Sequence, residues 1–166
     1  MPYFPVFMNI ENKRVVVIGG GTVALRKVEK LLPFKPTITV IAPKVVKELV
    51  SMEREGKIKI VRRRFNSKDI EDSFLVIGAT NNRKVNKRIY RIASRKGILC
   101  NIVDDPELCG FIFPALITKG DLCIGITTSG KAPSVSKLLR EWISEFLPEN
   151  IDKVIEKHYV KRKIKR

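Results

Sequence analysis

The chain has 166 residues, of which 44% are hydrophobic, and its Lys and Arg residues outnumber its Asp and Glu residues by 33 to 17. This composition is typical of a packed globular protein, and neither an apolar run near the roughly 20 residues of a membrane span nor a signal-peptide pattern is present, so we expect a cytoplasmic protein. The formal net charge of +16 indicates an anionic partner: nucleic acid, an anionic membrane surface or a polyanionic small molecule.

The first predicted elements are a strand, a tight turn and a helix. Residues 14–18 form a β-branched run that ends in three glycines, after which apolar residues recur from Val23 to Leu32 at mostly helical spacing. Pro33 and Pro36 end that helix, and residues 37–41 form a second strand. Together these elements make one βαβ unit of the usual size, about 30 residues.

Helices and strands continue to alternate as far as residue 103. We predict helices over residues 44–55 and 84–96, and strands over residues 58–61, 74–79 and 98–103. This alternation predicts an α/β fold, a Rossmann-type parallel sheet with helices on both faces.

The pattern changes after residue 104. Two apolar runs, 111–118 and 122–127, are separated by only three residues, which predicts an antiparallel hairpin, and an amphipathic helix then begins at Ala132 or Pro133. We therefore expect a Rossmann domain at 1–112 and a small α+β module at 113–150 that completes its core against that domain or a second subunit. Residues 151–166 are strongly basic and predict either a helix with a frayed end or a partly disordered tail.

The cysteines and the lone histidine offer little chemistry. Cys100, Cys109 and Cys123 are odd in number and have no metal-finger spacing, so we expect reduced, mostly buried thiols and neither a disulfide framework nor a metal site. His158 lies in the basic tail, where a surface role is expected. The absence of glutamine and the abundance of Ile, Lys and Glu suggest a thermophilic source.

The sharpest local signal is the segment from Gly19 to Ala24, which has the G-x-G-x-x-A form of a dinucleotide fingerprint between a strand and a helix. Gly19 permits the tight turn, and Gly21 lets the backbone approach a pyrophosphate. The helix that starts at Thr22 and Val23 supplies amide donors to the phosphates. The alternative is a glycine-rich turn that only reverses the chain.

Two further loops are predicted at the ligand edge of the sheet. The second strand runs into Ala42, Pro43 and Lys44 without the acidic residue that usually binds the adenosine ribose, so backbone groups there are candidates for that contact. Lys44 is alternatively a partner for the 2′-phosphate of NADP. Thr80 and Asn81 follow the strand predicted at 74–79 and suit contact with a nucleotide, although a turn or helix cap is an equal alternative.

These motifs, taken in order, resemble those of the precorrin-2 dehydrogenase family, which includes the dehydrogenase/ferrochelatase part of sirohaem synthase. The resemblance runs from about residue 4 to residue 147. Its motifs are Gly19–Lys27, Val40–Pro43, Ala79–Asn81, Asn101–Asp105, Phe111–Ala115 and Thr127–Pro133.

The resemblance implies a homodimer, with residues 113–150 as its dimerisation module, in which NAD⁺ accepts a hydride from precorrin-2, a polyanionic tetrapyrrole. It also implies that Asp104 is the essential aspartate. A carboxylate after a strand at the ligand edge is able to accept the proton that oxidation releases or to orient a nitrogen of the substrate. Asp105 is an adjacent candidate, and a helix or turn cap is the alternative for both.

The loop before the last amphipathic helix is the candidate substrate site. The resemblance implies that Thr128, Ser129 and Lys131 face the tetrapyrrole, and hydroxyls and amides at a helix start favour an anion. Ordinary N-capping is the alternative. This chain ends soon after the helix of Trp142, whereas longer family members continue. We therefore predict dehydrogenase activity and leave Fe²⁺ insertion open. Any iron would be a substrate rather than a resident cofactor.

Two other functions fit part of the sequence. A non-enzymatic NAD-sensing Rossmann module explains the fingerprint but neither Asp104 nor the loop at 127–131. A nucleic-acid-binding protein explains the charge and the run Arg62–Arg64, but the basic residues are spread along the chain, so we expect neither a nucleic-acid nor a membrane partner.

Overall fold

The structure, a computed structural model, describes residues 3–103 and 105–164, with side chains described as far as Tyr159. The chain divides into two compact units, one formed by Phe4–Phe111 and the other by Tyr3 together with the residues from Ile112 onward. Each unit is described here by itself.

The first unit is built on a five-stranded parallel sheet with the strand order β3-β2-β1-β4-β5. Three helices flank it, and two of the crossovers include short 3₁₀ helices at Leu32–Phe34 and Ser67–Ile70. This is the Rossmann-type arrangement predicted from the sequence. The elements, in chain order, are β1 (Arg14–Ile18), α1 (Thr22–Leu31), β2 (Thr37–Ile41), α2 (Lys47–Arg54), β3 (Lys59–Val61), β4 (Leu75–Gly78), α3 (Arg83–Arg95) and β5 (Leu99–Ile102).

The core lies on both faces of this sheet, because the central strands are covered on each side. Val15, Val16 and Val17 of β1 are all fully buried, which explains why that strand is an unbroken β-branched run rather than an alternating one. Val16 packs in one cluster with Ile89 of α3. Successive strand side chains point to opposite faces, so Val15 and Val17 lie on the other face.

The start of α2 corrects the sequence prediction, which began that helix at residue 44. Val46 instead has an extended backbone (φ −70°, ψ 156°), and α2 begins at Lys47. The Val46 amide donates to the carbonyl oxygen of Gly20 at 2.9 Å. A hydrogen bond to a distant loop therefore overrides the helical pattern over residues 44–46.

The second unit contains an antiparallel hairpin and two helices. Strands β6 (Ala115–Lys119) and β7 (Leu122–Ile126) pair as the sequence predicted, and Gly120 takes the positive φ (54°) of the turn between them. Helix α4 (Pro133–Phe146) follows, and α5 (Ile151–Ile164) realises the helical alternative for the basic tail as far as Ile164.

The apolar stripe of α4 is exposed rather than buried. Val135, Leu138, Trp142 and Phe146 retain 45%, 43%, 51% and 87% of their accessible surface. Exposed apolar side chains grouped along one helix often mark an interaction surface. Among the described residues, no helix is long and apolar enough to cross a bilayer.

Candidate functional site

Three loops of the first unit meet at the carboxyl edge of the sheet. They follow the adjacent strands β1, β2 and β4, and backbone hydrogen bonds join them: the Gly19 amide donates to Ile41 at 3.0 Å, and the Ala79 amide donates to Ile18 at 2.7 Å. Ligands of open parallel sheets bind at this edge. The structure thus brings together the predicted cofactor residues of the glycine loop, of residues 42–44 and of residues 80–81.

Gly19 is required by its backbone and by its neighbour. Its φ of +127° is a conformation that side chains disfavour, and a Cβ at this position would lie 2.1 Å from the carbonyl oxygen of Ala79. Gly19 therefore permits both the tight turn and close contact between the loops after β1 and β4.

Gly20 has a role that the fingerprint alone does not assign. A Cβ at this position would lie 2.2 Å from the Lys44 carbonyl oxygen and 2.7 Å from a methyl group of Val45. The Val46 amide also donates a hydrogen bond to the Gly20 carbonyl. Gly20 therefore lets the loop after β2 lie directly against the glycine loop.

Gly21 differs from both, because a Cβ there would meet nothing within 4 Å. It is the exposed N-cap residue of α1, where no described side chain caps the helix and no acidic residue lies in the first turn. The amides of Thr22 and Val23 begin that helix, and the first amides of a helix lack intrahelical partners. Open space, unpaired amides and the positive end of the helix dipole fit a dinucleotide pyrophosphate.

The loop after β2 presents its three predicted residues differently. Ala42 is buried, and its amide donates to the Val61 carbonyl at 3.2 Å, whereas Pro43 and Lys44 are exposed. The side chain of Lys44 is therefore accessible at the end of β2, where an acidic ribose ligand is absent from the sequence.

The loop after β4 is fixed by a hydrogen-bond network that the sequence did not reveal. The Thr80 hydroxyl donates to the side-chain oxygen of Asn86 at 2.6 Å, and the Asn86 side-chain amide donates to the Thr80 carbonyl at 2.9 Å. Asn86, on α3, is buried. Asn82 caps α3 by accepting from the amides of Lys84 and Val85. The hydroxyl of Thr80 thus orders the loop, while Asn81 is exposed.

The acidic turn after β5 is described only in part. Asp104, the predicted catalytic residue, lies outside the described residues. Asp105 is half-buried, and its carboxylate lies 3.9 Å from the guanidinium of Arg83 at the start of α3. The side chain of Asp105 therefore already has a partner within the protein.

The predicted substrate residues Thr128, Ser129 and Lys131 lie in the second unit, before α4. The Thr128 hydroxyl accepts from the Ala132 amide at 3.0 Å and from the Ser136 hydroxyl at 3.3 Å. Ala132 is the N-cap residue of α4 and makes no side-chain capping bond. Ser129 has a positive φ of 55°, and Lys131 is exposed. Among the described residues, no cluster of three His, Cys, Asp or Glu side chains is suited to hold a metal ion.

Comparison with known proteins gives these loops a context. Residues 6–115 match the family model described as "putative NAD(P)-binding". The chain is 38% identical over 170 aligned positions to the siroheme synthase of Actinobacillus succinogenes, covering 99% of this chain and 36% of that protein. It is 37% identical to siroheme synthase 1 of Cronobacter sakazakii, covering 94% of this chain and 33% of that protein. The chain thus spans about a third of the length of these relatives.

A solved structure is similar over nearly the whole chain. The protein described as SirC, precorrin-2 dehydrogenase, superposes with a TM-score of 0.78 at 27% identity, covering 93% of this chain and 76% of its own. Together with the siroheme synthases, it confirms the family resemblance that the sequence motifs indicated.

Proposed function

The chain belongs to the NAD(P)-binding family, whose model covers residues 6–115, and from that premise we propose that it is a dehydrogenase that oxidises precorrin-2 to sirohydrochlorin with NAD⁺. The observation that carries this proposal is the glycine loop, where Gly19 and Gly20 admit the neighbouring backbone and Gly21 faces open space. The likeness to SirC and to the siroheme synthases supports the choice of substrate.

Each of the three loops at the sheet edge would bind a different part of the cofactor. Gly21, Thr22 and Val23 would hold the pyrophosphate with backbone amides, and residues 42–44 would bind the adenosine ribose through the backbone. The loop of Thr80 and Asn81, which the network with Asn86 holds in place, would contact the nicotinamide half. When bound, NAD⁺ accepts the hydride.

The proton that leaves with the hydride needs an acceptor from the chain. We propose Asp104, which in the sequence comes two residues after Ile102, the last residue of β5. Asp105 is the weaker candidate because its carboxylate is paired with Arg83. Replacing Asp104 by Asn should abolish turnover and leave NAD⁺ binding intact, whereas Asp105→Asn should retain measurable turnover. The opposite pattern would transfer the role to Asp105.

The substrate is a polycarboxylate, which suits a strongly basic chain. Lys131 and the amides around Thr128 and Ser129, at the start of α4, would bind its carboxylates. The chain has 33 basic and 17 acidic residues, and its net positive charge would also increase the rate of encounter with such an anion.

We further propose that the protein is a homodimer that buries the exposed stripe of α4. Trp142 and Phe146 are half or more exposed in the single chain, and aromatic residues are enriched at protein interfaces. Trp142→Glu should convert a dimer into a monomer in sedimentation velocity measurements. Glu145→Gln, an exposed residue of the same helix, is the control and should remain dimeric. A wild-type monomer at micromolar concentration would refute the proposal.

The decisive experiment is anaerobic incubation of the protein with precorrin-2 and NAD⁺, followed by NADH absorbance and the visible spectrum of the macrocycle. NADH and sirohydrochlorin should form together. A parallel reaction with NADP⁺ tests whether Lys44 permits the phosphorylated cofactor, and later addition of Fe²⁺ tests metal insertion. Binding of NAD⁺ without either product would contradict the dehydrogenase and favour an NAD-sensing module.

A further inference from the structure

Helix α3 carries a row of positive charges that the proposed reaction does not use. The helix contains six Lys or Arg residues and no Asp or Glu, and all six are exposed. The other two helices of the first unit have mixed charges, since α1 contains Glu29 and α2 contains Glu48 and Glu53. Among the three helices of this unit, only α3 therefore has a uniformly positive surface.

Five of these side chains lie along one side of the helix, which we call the basic row. Residues three or four apart are neighbours on a helix surface, and the row follows this spacing. Its members are Lys84, Lys87, Arg88, Arg91 and Arg95. The opposite side of α3 carries Ile89 and Ala93, both fully buried in the core. From its first member to its last, the row extends about 16 Å along the helix axis.

The basic row lacks counter-charges from the protein. Acidic side chains near α3 pair with cations just outside the row: the Asp105 carboxylate lies 3.9 Å from Arg83, and the Glu71 carboxylate lies 3.1 Å from Lys96. Within the part of the chain that the structure describes, no carboxylate forms an ion pair with a member of the row. Like charges at helical spacing destabilise a helix. A bound polyanion would remove this repulsion.

An aromatic ring holds the middle of the row in place. The guanidinium carbon of Arg88 lies 5.9 Å from the centroid of the Phe65 ring, which is within the range of a cation–π contact. Phe65 directly follows Arg64, an exposed residue of the segment after β3. The contact therefore orders one member of the row and brings a further cation near it.

The direction of α3 argues against a small active-site ligand as the partner of the whole row. The helix begins after β4 at the carboxyl edge of the sheet and ends before β5, which is parallel to β4. It therefore runs from the carboxyl edge to the opposite edge, with Lys84 near its start and Arg95 at its end. A ligand bound at the carboxyl edge would contact only the start of the row.

The chemistry of the row favours nucleic acid over a membrane or an acidic protein. A helix that binds a membrane surface inserts an apolar face, and the apolar face of α3 is buried in the core. Protein interfaces depend on a few large anchors in well-packed pockets, whereas the row consists of exposed Lys and Arg alone. Lys and Arg are sufficient to bind the phosphate backbone of nucleic acid without sequence specificity.

We propose that the basic row of α3 binds the phosphate backbone of nucleic acid. Basic residues are spread along the sequence, which argued against such a partner, but the fold aligns five of them on one helix. Phosphate contacts release counterions, so five contacts correspond to a slope of about −4 to −5 when log K is plotted against log salt concentration. The inference does not depend on the proposed dehydrogenase function, because this binding needs neither NAD⁺ nor precorrin-2.

Two double variants with the same loss of charge test the inference. Lys87→Gln with Arg91→Gln removes two charges from the row, and the control, Lys47→Gln with Arg54→Gln, removes two exposed charges from α2. Fluorescence anisotropy of a short labelled DNA duplex, and of an RNA duplex of the same sequence, measures Kd between about 50 and 200 mM salt. The α3 variant should bind about 10-fold more weakly at low salt, with a slope less steep by about 2. The α2 variant should stay within about twofold of the wild type.

Three results would overturn the inference. The first is a wild-type protein that binds neither duplex at low salt with a Kd below about 100 μM. The second is equal affinity of the two double variants, which would assign binding to net charge rather than to the row. The third is tighter binding of the wild type to vesicles of anionic phospholipid than to either duplex. The basic segment 151–166 is identical in all three proteins and cannot produce a difference between the variants. Thermal unfolding measures whether each variant remains folded.

Discussion

The substitution Gly21→Ala should distinguish the contribution of this glycine to protein stability from its contribution to ligand binding. A Cβ at Gly21 meets nothing within 4 Å, and the φ of −88° suits any residue. Ala is a poorer N-cap than Gly, by roughly 0.5–1 kcal/mol. Ala also lowers the conformational entropy of the unfolded chain, which stabilises the folded protein by about 0.4–1 kcal/mol. These effects nearly cancel, so the free energy of unfolding should change by less than about 0.5 kcal/mol.

The effect on NAD⁺ binding should be much larger. The new methyl group would occupy the space through which a pyrophosphate approaches the backbone. Each hydrogen bond to a charged group contributes about 1.5–3 kcal/mol. The loss or lengthening of one bond therefore corresponds to about a 10- to 100-fold increase in Kd. Isothermal titration calorimetry measures the Kd, and thermal unfolding without cofactor measures stability, because bound NAD⁺ would itself stabilise the fold.

Gly20→Ala is the matched comparison, with the opposite expectation for stability. Its Cβ would lie 2.2 Å from the Lys44 carbonyl oxygen, so the loop after β2 must move. Overpacking of this kind costs about 1–3 kcal/mol. That cost corresponds to a fall in Tm of several degrees, at about 2–4 °C per kcal/mol for a chain of this size. Unchanged NAD⁺ affinity in Gly21→Ala, or a larger loss of stability there than in Gly20→Ala, would refute the reasoning.

Two further predictions concern charged residues of the first unit. Asp69 is buried, and its carboxylate accepts hydrogen bonds from Arg63 at 2.8 Å and from the Asn66 amide at 2.6 Å. The hydrogen bond from Arg63 is the main reason that the pKa of Asp69 lies below its ordinary value. Asp69→Asn should therefore lower the free energy of unfolding by about 2 kcal/mol at neutral pH. In urea unfolding, the full difference between the two proteins should be seen above about pH 4, and it should shrink as the pH falls through the folded-state pKa of Asp69. A difference that does not change with pH would contradict the assignment. The double variant Lys87→Glu and Arg91→Glu reverses two exposed charges of α3 and should lower kcat/KM for the proposed polyanionic substrate severalfold at low salt. Near 1 M salt, where the Debye length is about 3 Å, it should have little effect. A loss that persists in high salt would exclude electrostatic steering.

The sequence predicted the sheet well because its strands are marked on both sides. β1 and β2 have the predicted bounds, since β-branched runs end at Gly19 and at Ala42-Pro43. The hairpin and the start of α4 at Pro133 were predicted for similar reasons, a short turn and a first-turn proline. Local signals of this kind are visible in any window of about ten residues.

Features that depend on distant residues were not predictable in this way. The unwound segment before α2 depends on a bond to Gly20, and the role of Asn86 depends on Thr80 in another element. The exposure of the α4 stripe was hidden because an apolar stripe is equally typical of a core helix and of an interface helix. The roles of Asp104, Thr128, Ser129 and Lys131, like the cytoplasmic location and thermophilic source, stay predictions.

The glycine loop shows why a motif predicts less than the structure it belongs to. The pattern G-x-G-x-x-A gives reasons for its first and third positions and leaves the second free. In this chain the second position is also restricted, because a Cβ there would lie only 2.2 Å from the carbonyl oxygen of Lys44. Because Gly20 has no Cβ, the glycine loop and the loop after β2 are in contact, and the Val46 amide donates a hydrogen bond from one loop to the other. The pyrophosphate and ribose contacts of the proposed cofactor are therefore positioned jointly, so a substitution at Gly20 should weaken both.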